Sequence, residues 1–208
     1  MKTTTSVFTA SILAMGVATT APAAMISHSN PGVYTTEVAG ATTIDFDDEN
    51  CGYFDCSGDY KVQTGSSSGR YAQPAGLASG NPFLSVPNDN SNGEANFELG
   101  TTANYFGLYW GSIDDYNTIS FLLDDDVVAS YDGSDIAVPA NGDQQSDDTN
   151  RYINFNFGSQ LFDEVQLAST SYAFESDNHA YATVPEPGTL ALLGLGLIGL
   201  GARRRKIV

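Results

Sequence analysis

The chain has 208 residues, enough for one domain with a sizeable core, and carries 25 Asp and Glu against 8 Lys and Arg, a formal charge of −17. Five of those cations, Lys2, Arg203, Arg204, Arg205 and Lys206, lie at the two ends, so the stretch between holds three cations against 25 acids, a charge of −22. Such a surface repels phosphate backbones and anionic lipid, which excludes nucleic acid and acidic membranes as partners of the central part.

Residues 1–23 read as an export signal. Lys2 supplies the positive start, Val7 to Val17 the apolar run, and Ala21-Pro22-Ala23 a small-x-small cleavage site, with the cut expected after Ala23. Residues 24–41 read as a linker, with His28 in a disordered stretch. Residues 42–183 read as the folded domain. Their wealth of Gly, Asn, Ser, Thr and Tyr and shortage of Lys, Glu and Leu disfavour helix and favour strands joined by turns.

In chain order the first strand is Thr42 to Phe46, followed by the acidic turn Asp47-Asp48-Glu49-Asn50. Cys51 and Cys56 are the only cysteines. In an oxidising compartment they pair and close a small loop through Gly52-Tyr53-Phe54-Asp55, since a metal site would need a further Cys or His. The Gly/Ser/Pro-rich text from Ser57 to Asn92 holds one strand, Tyr60 to Gln63. Asn92-Gly93 turns the chain into Ala95–Leu99.

The densest apolar stretch is Asn104 to Trp110, where Phe106, Leu108 and Trp110 share one face and Tyr105 and Tyr109 the other. Thr118–Leu123 and Val127–Tyr131 form a hairpin about Asp124-Asp125-Asp126. After a polar loop, Ile153, Phe155 and Phe157 line one face of Arg151–Phe157. Phe162–Leu167, Tyr172–Glu175 and His179–Thr183 complete some nine or ten strands, the last of them a meander running into Pro185. The expected fold is all-β: an antiparallel β-sandwich or jelly roll, flanked by a signal peptide and a short C-terminal membrane helix.

Residues 184–208 have three parts in order. Pro185, Glu186 and Pro187 forbid helix and hold the chain extended. Gly188 to Ala202 is an apolar run of 15 residues, about 22 Å of helix where a stable span needs about 20 residues. Arg203, Arg204, Arg205 and Lys206 then stay cytoplasmic. This arrangement resembles the PEP-CTERM sorting signal; an ordinary anchor helix is the alternative. The resemblance implies export and processing near Pro185–Pro187 by an exosortase-type transpeptidase, with transient membrane insertion. It places the product on the envelope surface or in the matrix of a bacterium. Asn104 to Thr118, Arg151-Tyr152-Ile153-Asn154-Phe155 and Tyr172 to Asn178 resemble a family of exosortase-dependent surface proteins, which implies a secreted β-sandwich and offers no activity or catalytic residue to carry over.

Catalysis has little support in the sequence. His28 and His179 are the only histidines, neither in a triad context, and no Gly-x-Ser-x-Gly elbow occurs. The expectation is a non-catalytic protein, with a secreted hydrolase using paired carboxylates as one alternative. Structural calcium is a further expectation, held by Asp45, Asp47, Glu175 and Asp177; the plainer reading makes them solvated acids. A second alternative is a module that retains exopolysaccharide by stacking sugars on Tyr105 and Tyr109, with Trp110 in the core.

Overall fold

The structure, a computed structural model, describes residues 23–88 and 90–185. The expected export signal up to residue 22, Glu186, Pro187, the apolar run and Arg203 to Lys206 lie outside the described residues. Twelve strands and one single-turn helix follow in chain order: β1 (Met25–His28), β2 (Thr42–Ile44), β3 (Asp55–Gly58), β4 (Lys61–Gln63), β5 (Phe83–Val86), β6 (Gly93–Ala103), β7 (Tyr105–Gly111), β8 (Asn117–Leu123), β9 (Asp126–Asp132), α1 (Gly133–Ile136), β10 (Arg151–Asn156), β11 (Phe162–Ser169) and β12 (Phe174–Ala182).

Every pairing is antiparallel. One sheet runs β1-β10-β7-β12-β5-β4, and the other β3-β6-β11-β8-β9. Along β12, Phe174–Ser176 pair with β5 and His179–Tyr181 with β2, so these two short strands lie end to end on the edge opposite β7. The sheets face each other across one core. Phe106 of β7 meets Phe121 of β8 at 5.7 Å between ring centres, and Phe121 meets Phe155 of β10 at 5.1 Å. Trp110 is fully buried and stacks on Phe174 at 4.1 Å. Burying each such side chain contributes roughly 1.5–3 kcal/mol. The alternation in β7 and β10 thus aims the expected residues inward.

The sequence expectation differs from the structure in several places, among them β3 and α1, which no pattern announced. The linker assigned to 24–41 is part of the fold: β1 adds to the edge of β10, His28 pairs with Ile153, and the Ala24 N–H donates to the Tyr131 hydroxyl at 2.8 Å. His28 is therefore ordered, its pKa lowered by partial burial and by the Arg151 cation. β5 was not anticipated, because all four of its residues are buried and no alternation marks it. The two strands expected at Tyr172–Glu175 and His179–Thr183 are one strand, interrupted by a bulge between Asp177 and Ala180 with Asn178 at φ 50°. Finally, β10, β11 and β12 alternate between sheets instead of forming a meander.

The outer face of the β7–β10 sheet is covered in part: Tyr34 and Thr36 of segment 29–41 meet Tyr109 and Tyr105, and Ala75 of segment 66–81 meets Tyr109, while Asn156 stays exposed.

Candidate functional site

That cover decides the fate of the expected ligand-stacking residues. Tyr105 and Tyr109 are 2% and 3% exposed. The Tyr105 hydroxyl donates to Asn154 Oδ1 and accepts from Thr36 Oγ1, both at 2.7 Å. Tyr109 donates to the Ala75 carbonyl at 2.6 Å, and its ring sits edge-on to Tyr34. Neither presents a face to solvent, so the expected stacking platform is corrected to a packed second layer. The physical reason is that an outward-facing strand residue is exposed only if no loop returns over it, and Tyr34 and Thr36 come from the segment expected to be a linker.

The four carboxylates expected to hold calcium do not converge. Glu175 and Asp177 share the outer face of β12, about 7 Å apart along the strand, but separate parts of the β4–β5 connection hold them. Glu175 Oε1 accepts the Ala72 N–H at 2.8 Å, while Asp177 accepts from Asn81 Nδ2 at 3.4 Å and the Asn178 N–H at 2.7 Å. Asp45 and Asp47 are exposed, and Asp45 Oδ1 is occupied by the Asp47 N–H. Burial raises the pKa of Asp177 to about 7, with Asp47 and Asp45 adding to the rise. Among the described residues no group of three or more His, Cys, Asp or Glu side chains is placed to hold a metal ion.

Cys51 and Cys56 form the expected disulfide. The loop it closes carries Tyr53 into the interior, where an arrangement appears that the sequence did not signal. In the tautomer with the proton on Nε2, the Tyr53 hydroxyl donates to His179 Nδ1 at 2.5 Å and Nε2–H donates to Ser176 Oγ at 2.9 Å. The geometry is that of a hydrogen-bonded relay. It lies inside the core, with Ser176 and His179 both 0% exposed and the imidazole against Phe46 and Phe106. Burial lowers the His179 pKa to about 3, so the ring is neutral. Two hydroxyls satisfying a neutral buried imidazole is a structural solution to its burial.

Two surface grooves stand out among the described residues. One, of about 400 Å³, lies beside the β8–β9 turn and is lined by the carboxylates of Glu98, Asp124, Asp125, Asp163 and Glu164. Burial, then Asp125 and Glu98, raise the Glu164 pKa. Asp124 and Asp125 form the expected hairpin tip, with φ of 51° and 68°.

The other groove, of about 630 Å³, lies between loop 66–72 and Tyr172, with Gln144, Ser171 and Glu175 on its wall. The loop is held by main-chain bonds, Ser67 N–H to the Tyr71 carbonyl at 2.9 Å and Arg70 N–H to the Ser67 carbonyl at 3.0 Å. Glu175 is 3% exposed, and its Oε2 is buried without a hydrogen-bond partner. Leaving such an atom unpaired costs about 1–3 kcal/mol. Burial raises the pKa of Glu175 well above the usual carboxylate range. Asp114 adds to the rise, while the Ala72 N–H opposes it.

The C-terminal exit is built as tightly. Asn104 on the β6–β7 connection is 5% exposed; its Oδ1 accepts the Val184 N–H at 2.6 Å and its Nδ2 donates to the Val184 carbonyl at 2.8 Å. Thr183 Oγ1 donates to the Thr102 carbonyl at 2.9 Å. The chain is thus tied to the domain up to the residue before Pro185.

No curated protein matches the chain. A family model for the PEP-CTERM protein-sorting motif matches residues 183–206, starting at the residue that follows β12 and its bridge to Asn104. The motif implies export, sorting to the cell envelope and processing by an exosortase. With an antiparallel β fold up to Ala182 and this match directly after it, the chain carries a PEP-CTERM protein-sorting motif at its C-terminal end.

Proposed function

We propose that the chain is a non-catalytic cell-surface or extracellular-matrix protein of a bacterium, delivered as a folded two-layer β-sandwich and released from its tail by an exosortase-type transpeptidase. The observation that carries this reading is the sorting motif at 183–206. The signal peptide directs export through the export machinery and is removed after Ala23, leaving Ala24 to donate to Tyr131 as it does in the folded domain. The apolar run from Gly188 to Ala202 halts in the membrane with Arg203 to Lys206 behind it. Cleavage at or near Pro185-Glu186-Pro187 then frees the domain.

Two features support the reading. The Asn104 clamp ends at Val184, so the domain can be complete before Pro185 is reached and cutting beyond it removes no described contact of the fold. The relay of Ser176, His179 and Tyr53 lies in the core, with Ser176 and His179 both 0% exposed, so its hydrogen bonds satisfy a buried imidazole, as a structural role for it requires.

The test is intact mass of the protein recovered from the producing cells and from the same strain lacking its transpeptidase. The expected wild-type species begins near Ala24 and ends near Pro187, with the tail kept in the mutant. A wild-type chain that still carries Arg203 to Lys206 would make the tail an anchor and overturn the proposal.

A further inference from the structure

The groove beside loop 66–72 has properties that sorting does not use. Its volume of about 630 Å³ falls within the range of small-molecule sites. At its wall Glu175 is fixed through Oε1 by the Ala72 N–H and leaves Oε2 buried and unpaired. A ligand that brings a donor to Oε2 completes a hydrogen-bond set that the protein itself leaves open.

The lining selects the chemistry of that ligand. Serine hydroxyls at 66–68 and 171 and the Gln144 carboxamide both donate and accept. Arg70 lines the same groove, which disfavours a cation; the acidic surface around it disfavours an anion. An apolar ligand would leave Oε2 as it is. A hydroxyl group suits the site because it can donate to a carboxylate and accept from a carboxylic acid. Tyr71, braced edge-on against Phe83 at 6.2 Å, and Tyr172 add aromatic surface on the groove walls, both half-buried.

We propose that this groove binds a neutral saccharide, with Glu175 Oε2 bonded to a sugar hydroxyl and Tyr71 and Tyr172 flanking the ring. The proposal is separate from the sorting reading, since it concerns the folded domain and is measured by binding and not by chain mass.

The experiment uses the protein purified from cells that export it. It is probed with an array of neutral, uronate-bearing and amino-sugar oligosaccharides, and each hit is titrated by calorimetry. Neutral members are expected to bind. Tyr172→Ala, which keeps the Tyr172 carbonyl that accepts from Tyr116, should weaken binding about tenfold. Glu175→Gln keeps an oxygen for Ala72 but puts an NH₂ in place of Oε2, and should weaken it about fivefold. If Glu175→Gln does not fold, Tyr172→Ala alone decides. Absence of any neutral ligand, binding confined to charged members, or neutral binding that Tyr172→Ala leaves unchanged would overturn the proposal.

Discussion

Asp177 and His179 stand two positions apart on β12, both 0% exposed, and they titrate in opposite senses. Burial raises Asp177 to about 7 and lowers His179 to about 3. For Asp177 the folded state binds the proton more tightly than the unfolded chain. Its contribution to stability is full below about pH 4 and is lost as pH rises to about 7. For His179 the unfolded chain binds the proton more tightly, so stability is present above pH 6.5 and is lost as pH falls toward 3. The two slopes oppose each other between about pH 4 and 6.5. Replacing Asp177 with Asn removes one of them. Relative to wild type, Asp177→Asn is expected to lose ~3 kcal/mol of unfolding free energy between pH 7 and pH 4; Asp47 and Asp45, whose charges add to the rise at Asp177, are unchanged in the variant. Urea melts at pH 7, 5.5 and 4.5 measure this, and a constant difference across that range would refute it. None of this was legible in the chain, because both shifts come from burial and the bulge at Asn178 decides which side chains are buried.

At the scale of elements, β3 shows how tightly the second sheet is drawn. Gly58 ends β3 with φ 90°, and a Cβ there would lie 2.4 Å from the Glu94 carbonyl oxygen and 2.8 Å from Ala95 Cα. Both obstacles are backbone of β6, which cannot swing away. Gly58→Ala should therefore destabilise the domain by ~3 kcal/mol, from left-handed backbone strain plus displacement of β6. Thermal melts check this; a loss below ~0.5 kcal/mol would mean that β3 can detach without cost. Several elements were readable because their pattern is local. Phe106, Leu108 and Trp110 alternate along β7, Ile153 and Phe155 along β10, and Asp124-Asp125 marks the β8–β9 turn. β1, β3 and β5 were not, since Met25–His28 and Asp55–Gly58 are short edge strands with a weak pattern and Phe83–Val86 is buried on both sides.

Over the whole molecule the charge of −22 between the two ends dominates. Lys61, Arg70 and Arg151 are its cations, and Arg151 meets Asp148 at 3.8 Å. Five carboxylates crowd the groove beside the β8–β9 turn, and their mutual repulsion raises the Glu164 pKa after burial does. Salt screens such repulsion over about 10 Å at 0.1 M. Raising NaCl from 20 mM to 0.5 M should lift Tm by a few °C, about 1–2 kcal/mol for a domain of this size. A Tm that falls with salt would show that attractive pairs outweigh the repulsion. Expected as plain solvated acids or as calcium ligands, the carboxylates divide by position: Asp45 and Asp47 are exposed, while Glu175 and Asp177 are enclosed.

By itself the sequence determined the sorting motif, the antiparallel β character, the inward faces of β7 and β10, the β8–β9 hairpin and the Cys51–Cys56 pairing. Each of these is written in residues near one another, as a motif, a period of two or a short loop. Only the tertiary structure decided which outward residues are exposed. Tyr105 and Tyr109 are covered by Tyr34 and Thr36, Glu175 is held by Ala72, and His179 meets Tyr53 from 126 positions away. Exposure and pairing on the outer face of a sheet depend on loops that return from distant parts of the chain, and no local period records where they land.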